Sequence, residues 1–415
     1  MRDYLQAGKA RCIFGRIIMK CFYASSGLNY KNGWATTCPR QSDMLGMQAT
    51  PSMLFRSKKF QELRDTLERD EWPKGCHLCR ESEEIGHPSM RQDHKWVDEN
   101  LRHVELRFSN ACNMACLHCS EVFSSGWEKV LSGYKSEVAE TFELINLTKK
   151  MHRHGKGDNH KIQINMNEVV LICKDLIDNF PYLQMIDFAG GEVLFQKQFF
   201  PCLEMLASHR NRLKISFHTN FNAPFDVKEL HKYLAPFKSV ITISLDSSKE
   251  MYPYFRDGNW DKMENNLREF RELPDIDCHI QPSCTTSAYQ MMDFAQIWDD
   301  FLSLEPLVNG YDASIVQTPR YLDPAIMMHE WSHKIEAGID LARVYARNNW
   351  SATQWINYIS DYVLNKKTPY NDYYRFLQYI SETDTLFGKD FNDAFDIFRY
   401  DPEQKELYTN DCRLS

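Results

Sequence analysis

From about residue 102 the chain alternates short runs of β-branched and aromatic residues with longer stretches in which apolar positions recur every three or four residues. The short runs are Arg102–Phe108, Leu183–Phe188, Leu213–His218, Val240–Leu245, Ile276–Ser283 and Ala313–Thr318. The helical stretches between them are Asn167–Asn179, Phe199–Ser208, Val227–Leu234, Trp260–Glu272 and Tyr289–Leu302. Such alternation predicts an α/β fold, with parallel strands joined by right-handed crossovers and helices outside the sheet. Six βα units make an open, partial (β/α)6 barrel, whose chemistry is expected at the carboxyl ends of the strands. Ahead of it, Lys59–Arg69 reads as a helix. Ser132 to Ile164 reads as an insertion, with the polar, basic run Met151–His160 as a solvated loop. Beyond about residue 320 the pattern turns helical and aromatic-rich. The expected organisation is a flexible extension over 1–18 ahead of an internal start at Met19, a cysteine-rich module over 19–98, the barrel over 99–320 and a helical region over 321–415. The last region is expected to cover the barrel mouth or to form a dimer interface.

Composition narrows the function classes. With 415 residues and 43% hydrophobic content the chain can fill sizeable cores in two or three domains. A net charge of -8 argues against binding a nucleic-acid backbone. No apolar run reaches membrane-spanning length. The segment from Cys12 to Tyr23 carries Arg16 and Lys20 and lacks a cleavage site of small residues, so it is not read as an export signal. Thirteen cysteines without such a signal suit a reducing, cytoplasmic setting in which thiols serve metals.

The densest chemistry lies just after the first barrel strand, in Cys112-Asn113-Met114-Ala115-Cys116-Leu117-His118-Cys119. Three thiolates in one short loop can hold three irons of a cubane cluster and leave the fourth open to a small molecule, whereas electron-transfer clusters usually close all four positions. Zinc is the competing reading of a C-x2-C pair, but a structural zinc site usually needs two pairs. After the second strand comes Ala189-Gly190-Gly191-Glu192, where two glycines permit close backbone approach and Glu192 can accept from an ammonium. His218-Thr219-Asn220-Phe221 follows the third strand; Ser244-Leu245-Asp246, with Arg256 downstream, follows the fourth. An arginine fork can bind both oxygens of a carboxylate.

This ordered set resembles the radical S-adenosylmethionine (SAM) superfamily over roughly residues 100–320. Val193 stands where proline is usual after the Gly-Gly-Glu, Phe221 where glycine is usual after Thr-Asn, and His118 where an aromatic often precedes the third cysteine. The resemblance implies an enzyme in which Cys112, Cys116 and Cys119 bind a [4Fe-4S] cluster and SAM chelates the open iron. Gly190, Gly191, Glu192, Asn220, Ser244, Asp246 and Arg256 would contact SAM. One-electron reductive cleavage would give a 5′-deoxyadenosyl radical that abstracts hydrogen from a substrate. It also implies a reductase partner such as flavodoxin or ferredoxin.

A second group, Cys21, Cys38, Cys76 and Cys79, precedes the barrel. Its surroundings, Phe60-Gln61-Glu62-Leu63-Arg64, then Trp72-Pro73-Lys74-Gly75-Cys76-His77-Leu78-Cys79-Arg80-Glu81 and Ser89-Met90-Arg91, resemble the twitch/SPASM-type auxiliary-cluster modules, which implies a second [4Fe-4S] cluster. Spacing alone leaves a four-cysteine zinc site open. That branch is rich in enzymes acting on peptides and proteins, so a peptidyl substrate is expected, with a small molecule or nucleoside as the alternative. The competing class is a zinc or iron–sulfur binding protein without catalysis. Finally, His329-Glu330-Trp331-Ser332-His333 matches H-E-x-x-H, the zinc-protease helix signature, although Glu336 occupies the position where a metzincin continuation needs glycine.

Overall fold

The structure is a computed structural model that describes residues 21–31, 34–41, 49–92, 98–134, 140–152, 164–207 and 213–394. Expectations for residues 1–18, for most of Met151–His160 and for 395–415 of the helical region lie outside the described residues. Eight strands form a sheet: β1 Gly27–Lys31, β2 Trp34–Thr36, β3 His103–Arg107, β4 Met185–Ala189, β5 Lys214–Thr219, β6 Lys238–Ser244, β7 Cys278–Thr286 and β8 Asp312–Ile315. Their order is β2-β1-β3-β4-β5-β6-β7-β8. β1, β3, β4 and β5 run parallel, as do β7 and β8, while β2 closes one end antiparallel to β1.

The six strands expected from periodicity are β3 to β8. Helices Met166–Asn179, Phe199–Leu206, Val227–Leu234, Trp260–Glu272 and Phe294–Ser303 alternate with them. Two of these helices start on side chains that satisfy orphan backbone N–H groups. Asn165 and Glu168 make a reciprocal capping box on the first, and Asp226 accepts from Lys228 and Glu229 on the third. The Tyr289–Leu302 stretch splits into Ala288–Met291, which opens on a capping box of Ser287 and Gln290, and Phe294–Ser303. The cysteine-rich segment supplies β1 and β2 to the sheet. The insertion also holds more than a loop. Helix Glu143–His152 buries Leu144 and Ile145, and Glu382 accepts from the backbone N–H groups of both.

The chain divides into two compact units. One comprises Met1–Ala111, Asn159–Thr242 and Asn266–Ile280; the other comprises Cys112–Asp158, Ile243–Asn265 and Gln281–Ser415. In the first, Phe188, Phe199 and Phe217 meet edge to face at 5.2 Å between successive ring centroids, each almost fully buried. Burying a ring of this size stabilises by about 1.5–3 kcal/mol. In the second, Tyr289 packs on Phe376 and Phe255 at 5.0 and 5.4 Å. The long helices Met328–Tyr345, Trp350–Asn365 and Tyr370–Phe387 belong to this unit. Among the described residues no helix is long and apolar enough to cross a membrane.

Gly338, inside helix Met328–Tyr345, has open space where a Cβ would sit. Gly338→Ala is therefore expected to stabilise the protein by about 0.5–1 kcal/mol, read as a higher urea midpoint.

Candidate functional site

In the second unit the cysteine loop is held by side chains 10 to 13 positions downstream and by Tyr379, 262 positions away. Ser125 Oγ accepts from the Cys112 N–H at 3.0 Å and donates to its carbonyl at 3.1 Å. Ser124 Oγ donates to the Met114 carbonyl at 2.5 Å, Trp127 Nε1 to that of Cys116 at 2.9 Å, and Tyr379 Oη to that of Leu117 at 2.7 Å. The Leu117 N–H donates to the Phe255 carbonyl at 3.0 Å, and Cys116 Sγ lies 3.7 Å from the Arg256 carbonyl oxygen. Gly126 is required beneath the loop, since a Cβ there would lie 2.3 Å from the Met114 carbonyl oxygen.

Asp246 and Arg256 meet beside this loop. Asp246 is buried, with a left-handed backbone at φ 55°, and its Oδ2 accepts from Arg256 Nη1 at 2.5 Å. Its Oδ1 accepts from the Thr285 N–H at 2.6 Å, and its carbonyl accepts from Gln290 Nε2 at 2.6 Å. The carboxylate, expected to face SAM, is thus engaged in fixing Arg256. Burial alone would lower the Arg256 pKa, but the neighbouring Cys116 and Asp246 hold it above the usual range. Arg256 Nε is buried without a partner. His118 stacks on Phe255 at 5.0 Å, with Nε2 3.8 Å from Asp246 and Nδ1 buried without a partner. Burial pushes its pKa down to about 4, so it is a neutral aromatic at pH 7. Ser244 lies half-buried at the end of β6.

The loop thiols fit iron–sulfur ligation. Burial pushes Cys116 up to about 12 against the pull of Arg256, and burial with the neighbouring thiols raises Cys119 as well. Such thiols become thiolates only beside positive charge, which iron and Arg256 can supply.

In the first unit the Gly-Gly-Glu turn is a strained, close-packed connection. Gly190 and Gly191 have φ of 89° and 53°, and a Cβ on Gly191 would lie 2.2 Å from the Ala111 carbonyl oxygen. The Glu192 carboxylate accepts from Thr219 Oγ1 at 2.6 Å, the Asn220 N–H at 2.6 Å and the Leu194 N–H at 3.0 Å. It braces the ends of β4 and β5, and Gln196 Nε2 donates to the Gly190 carbonyl of the same turn. Phe221 has φ 54°, which accounts for glycine being usual at this position.

Cys21, Cys38, Cys76 and Cys79, also in the first unit, line one small cavity of about 20 Å³ with Trp72 and Met90. Burial and the neighbouring thiols push Cys21 and Cys38 up to about 12. Among the described residues no three His, Cys, Asp or Glu side chains are placed to hold one metal ion. The H-E-x-x-H segment is not one continuous helix face. Trp331 is non-helical at φ -124°, ψ 19°, which kinks the helix between the histidines, and His329 turns to Thr368 at 3.0 Å.

No protein-family profile matches the chain. Over 197 residues it is 22% identical to a protein of Paramaledivibacter caminithermalis named radical SAM cyclopropyl synthase TigE, covering 47% of this chain and 37% of that protein. The chain therefore spans less than half the length of that relative. Among solved structures it is similar to anSMEcpe with bound AdoMet and Cp18Cys peptide, at TM-score 0.37 and 15% identity over 57% of this chain and 62% of that one. It is also similar to Streptococcus suis SuiB bound to precursor peptide SuiA, at TM-score 0.36 and 12% identity over 68% and 51%.

Two outcomes are expected. Asp246→Asn strands the buried Arg256 charge and costs about 3–5 kcal/mol, and adding Arg256→Met recovers part of that loss, as a double-mutant cycle of urea midpoints would show. His329→Ala leaves the bound metal unchanged by elemental analysis.

Proposed function

We propose that this chain is a radical SAM enzyme, a place in that superfamily supported by its ordered motifs and by the name of its curated relative. The observation that carries the reading is the clamped loop of Cys112, Cys116 and Cys119 beside the buried Asp246–Arg256 pair. The three thiols would hold a [4Fe-4S] cluster with one open iron. When bound, cluster and SAM supply a 5′-deoxyadenosyl radical able to abstract hydrogen from carbon.

The chain's own residues would bind and orient. In one unit, Gly190 and Gly191 would offer backbone acceptors to the amino group of SAM, with Glu192 and Asn220 keeping that turn in shape. In the other, Arg256, aimed by Asp246, would present Nε to a carboxylate, and Ser244 would serve the ribose. His118, neutral and stacked, would extend the apolar wall without adding charge.

Cys21, Cys38, Cys76 and Cys79 would hold a second [4Fe-4S] cluster. A zinc ion draws its sulfurs to about 2.3 Å from one point. The resemblance of the surrounding segment to auxiliary-cluster modules supports a cluster over a single ion. The substrate we propose is a peptide or protein, as the auxiliary-module resemblance implies, and the electron donor a flavodoxin- or ferredoxin-type reductase.

Anaerobic reconstitution is expected to give about eight irons per chain and dithionite-driven 5′-deoxyadenosine from SAM. The Cys112→Ala/Cys116→Ala/Cys119→Ala variant should lose that product and about half the iron. Product formation by this variant would overturn the reading. Four irons with bound zinc would overturn the second cluster alone.

A further inference from the structure

Strands β1, β3, β4 and β5 of the first unit present two unlike faces. One carries Leu28, Val104, Ile186, Ile215 and, a pleat further, Leu106, Phe188 and Phe217, all almost fully buried. The other carries a polar row that the reading above does not use. Register places Asn29, Glu105, Asp187 and Ser216 side by side across the four strands. Two residues on, Lys31, Arg107 and His218 follow on the same face, because side chains alternate along a strand. This face is not sealed, since Lys214 and His218 are exposed on β5.

Within the row the charges are unevenly matched. Glu105 is served on both sides, by Asn29 Nδ2 at 2.9 Å and Arg107 Nε at 2.6 Å. Asp187 bonds Ser216, but its Oδ1 is buried with no partner, and it has no ion pair among the described residues. Burial raises its pKa, against the pull of His218. Asn29, 1% exposed, likewise has a buried Oδ1 with no partner, and its amide orientation is set by the bond from Nδ2 to Glu105. His103 Nε2, on β3, is a third such atom. Buried polar groups are normally satisfied, so unfilled acceptors gathered on one partly open face point to a missing donor. The two oxygens lie on strands separated by β3, roughly 10 Å apart by strand spacing. An amide group at one end and an amine at the other of a lysine-like unit suit that separation.

We propose that this face is a ligand-binding surface that takes a protonated amine at Asp187 and a neutral N–H or O–H donor at Asn29, and that the ligand is a substrate carrying a basic side chain or amino terminus. The word substrate rests on the reading above; the binding does not.

The test titrates the reconstituted full-length protein calorimetrically with Nα-acetyl-lysine amide, and with Nα-acetyl-norleucine amide as the neutral counterpart. The lysine probe should bind at least tenfold more tightly. Asp187→Asn should remove that preference, Asp187→Glu should retain part of it, and Asn29→Leu should weaken the lysine probe severalfold. Iron content and the circular dichroism spectrum show that each variant is folded. Equal binding of the two probes, or a preference that Asp187→Asn leaves intact, overturns the proposal. Lysine-probe binding in a chain that yields no 5′-deoxyadenosine overturns the radical reading and leaves this one standing.

Discussion

The buried pair of Asp246 and Arg256 is the constraint on which the second unit's chemistry depends. A guanidinium taken out of water needs a carboxylate at hydrogen-bond distance, and Asp246 provides it at 2.5 Å. Asp246 in turn needs donors, and Thr285 and Gln290 from the following segment supply them. The pair draws the strand end carrying Asp246 together with the turn carrying Arg256, and the backbone of that turn meets the cysteine loop at Leu117 and Cys116. One desolvated charge thereby links three chain segments. It also brings positive charge to thiols whose ionisation burial opposes.

Glu192 plays the corresponding part in the first unit. Its two oxygens accept three protein donors, so the Gly-Gly-Glu turn and the end of β5 move as one piece. Both acids thus act by positioning. In the second unit the pair leaves Arg256 Nε as a buried donor without a partner.

Much of this was legible in the residues, and the exceptions have physical causes. Strands β3 to β8 announced themselves because β-branched runs such as Val240–Leu245 do not suit a helix, and Val227–Leu234 was bounded by an acidic cap and its own period. The cysteine loop and the turns were readable because their spacing is local. Strands β1 and β2 escaped, since Gly27, Asn29 and Lys31 are residues that strands disfavour and Trp34–Thr36 is too short to show a period. The clamp on the loop escaped too: Tyr379 lies 262 positions from Leu117, and no local pattern marks it. The donors that Glu192 receives from Thr219 and Asn220 and the kink at Trp331 within H-E-x-x-H are likewise tertiary or backbone features that no local pattern marks.

The central claim is that the cluster held by Cys112, Cys116 and Cys119 keeps one iron open for SAM. Electron paramagnetic resonance of the anaerobically reduced protein tests it most directly, recorded with and without SAM in a Cys76→Ser/Cys79→Ser background that leaves this cluster as the only complete set of ligands. The account predicts a [4Fe-4S]+ signal whose g-values shift when SAM is added. A signal indifferent to SAM would contradict it.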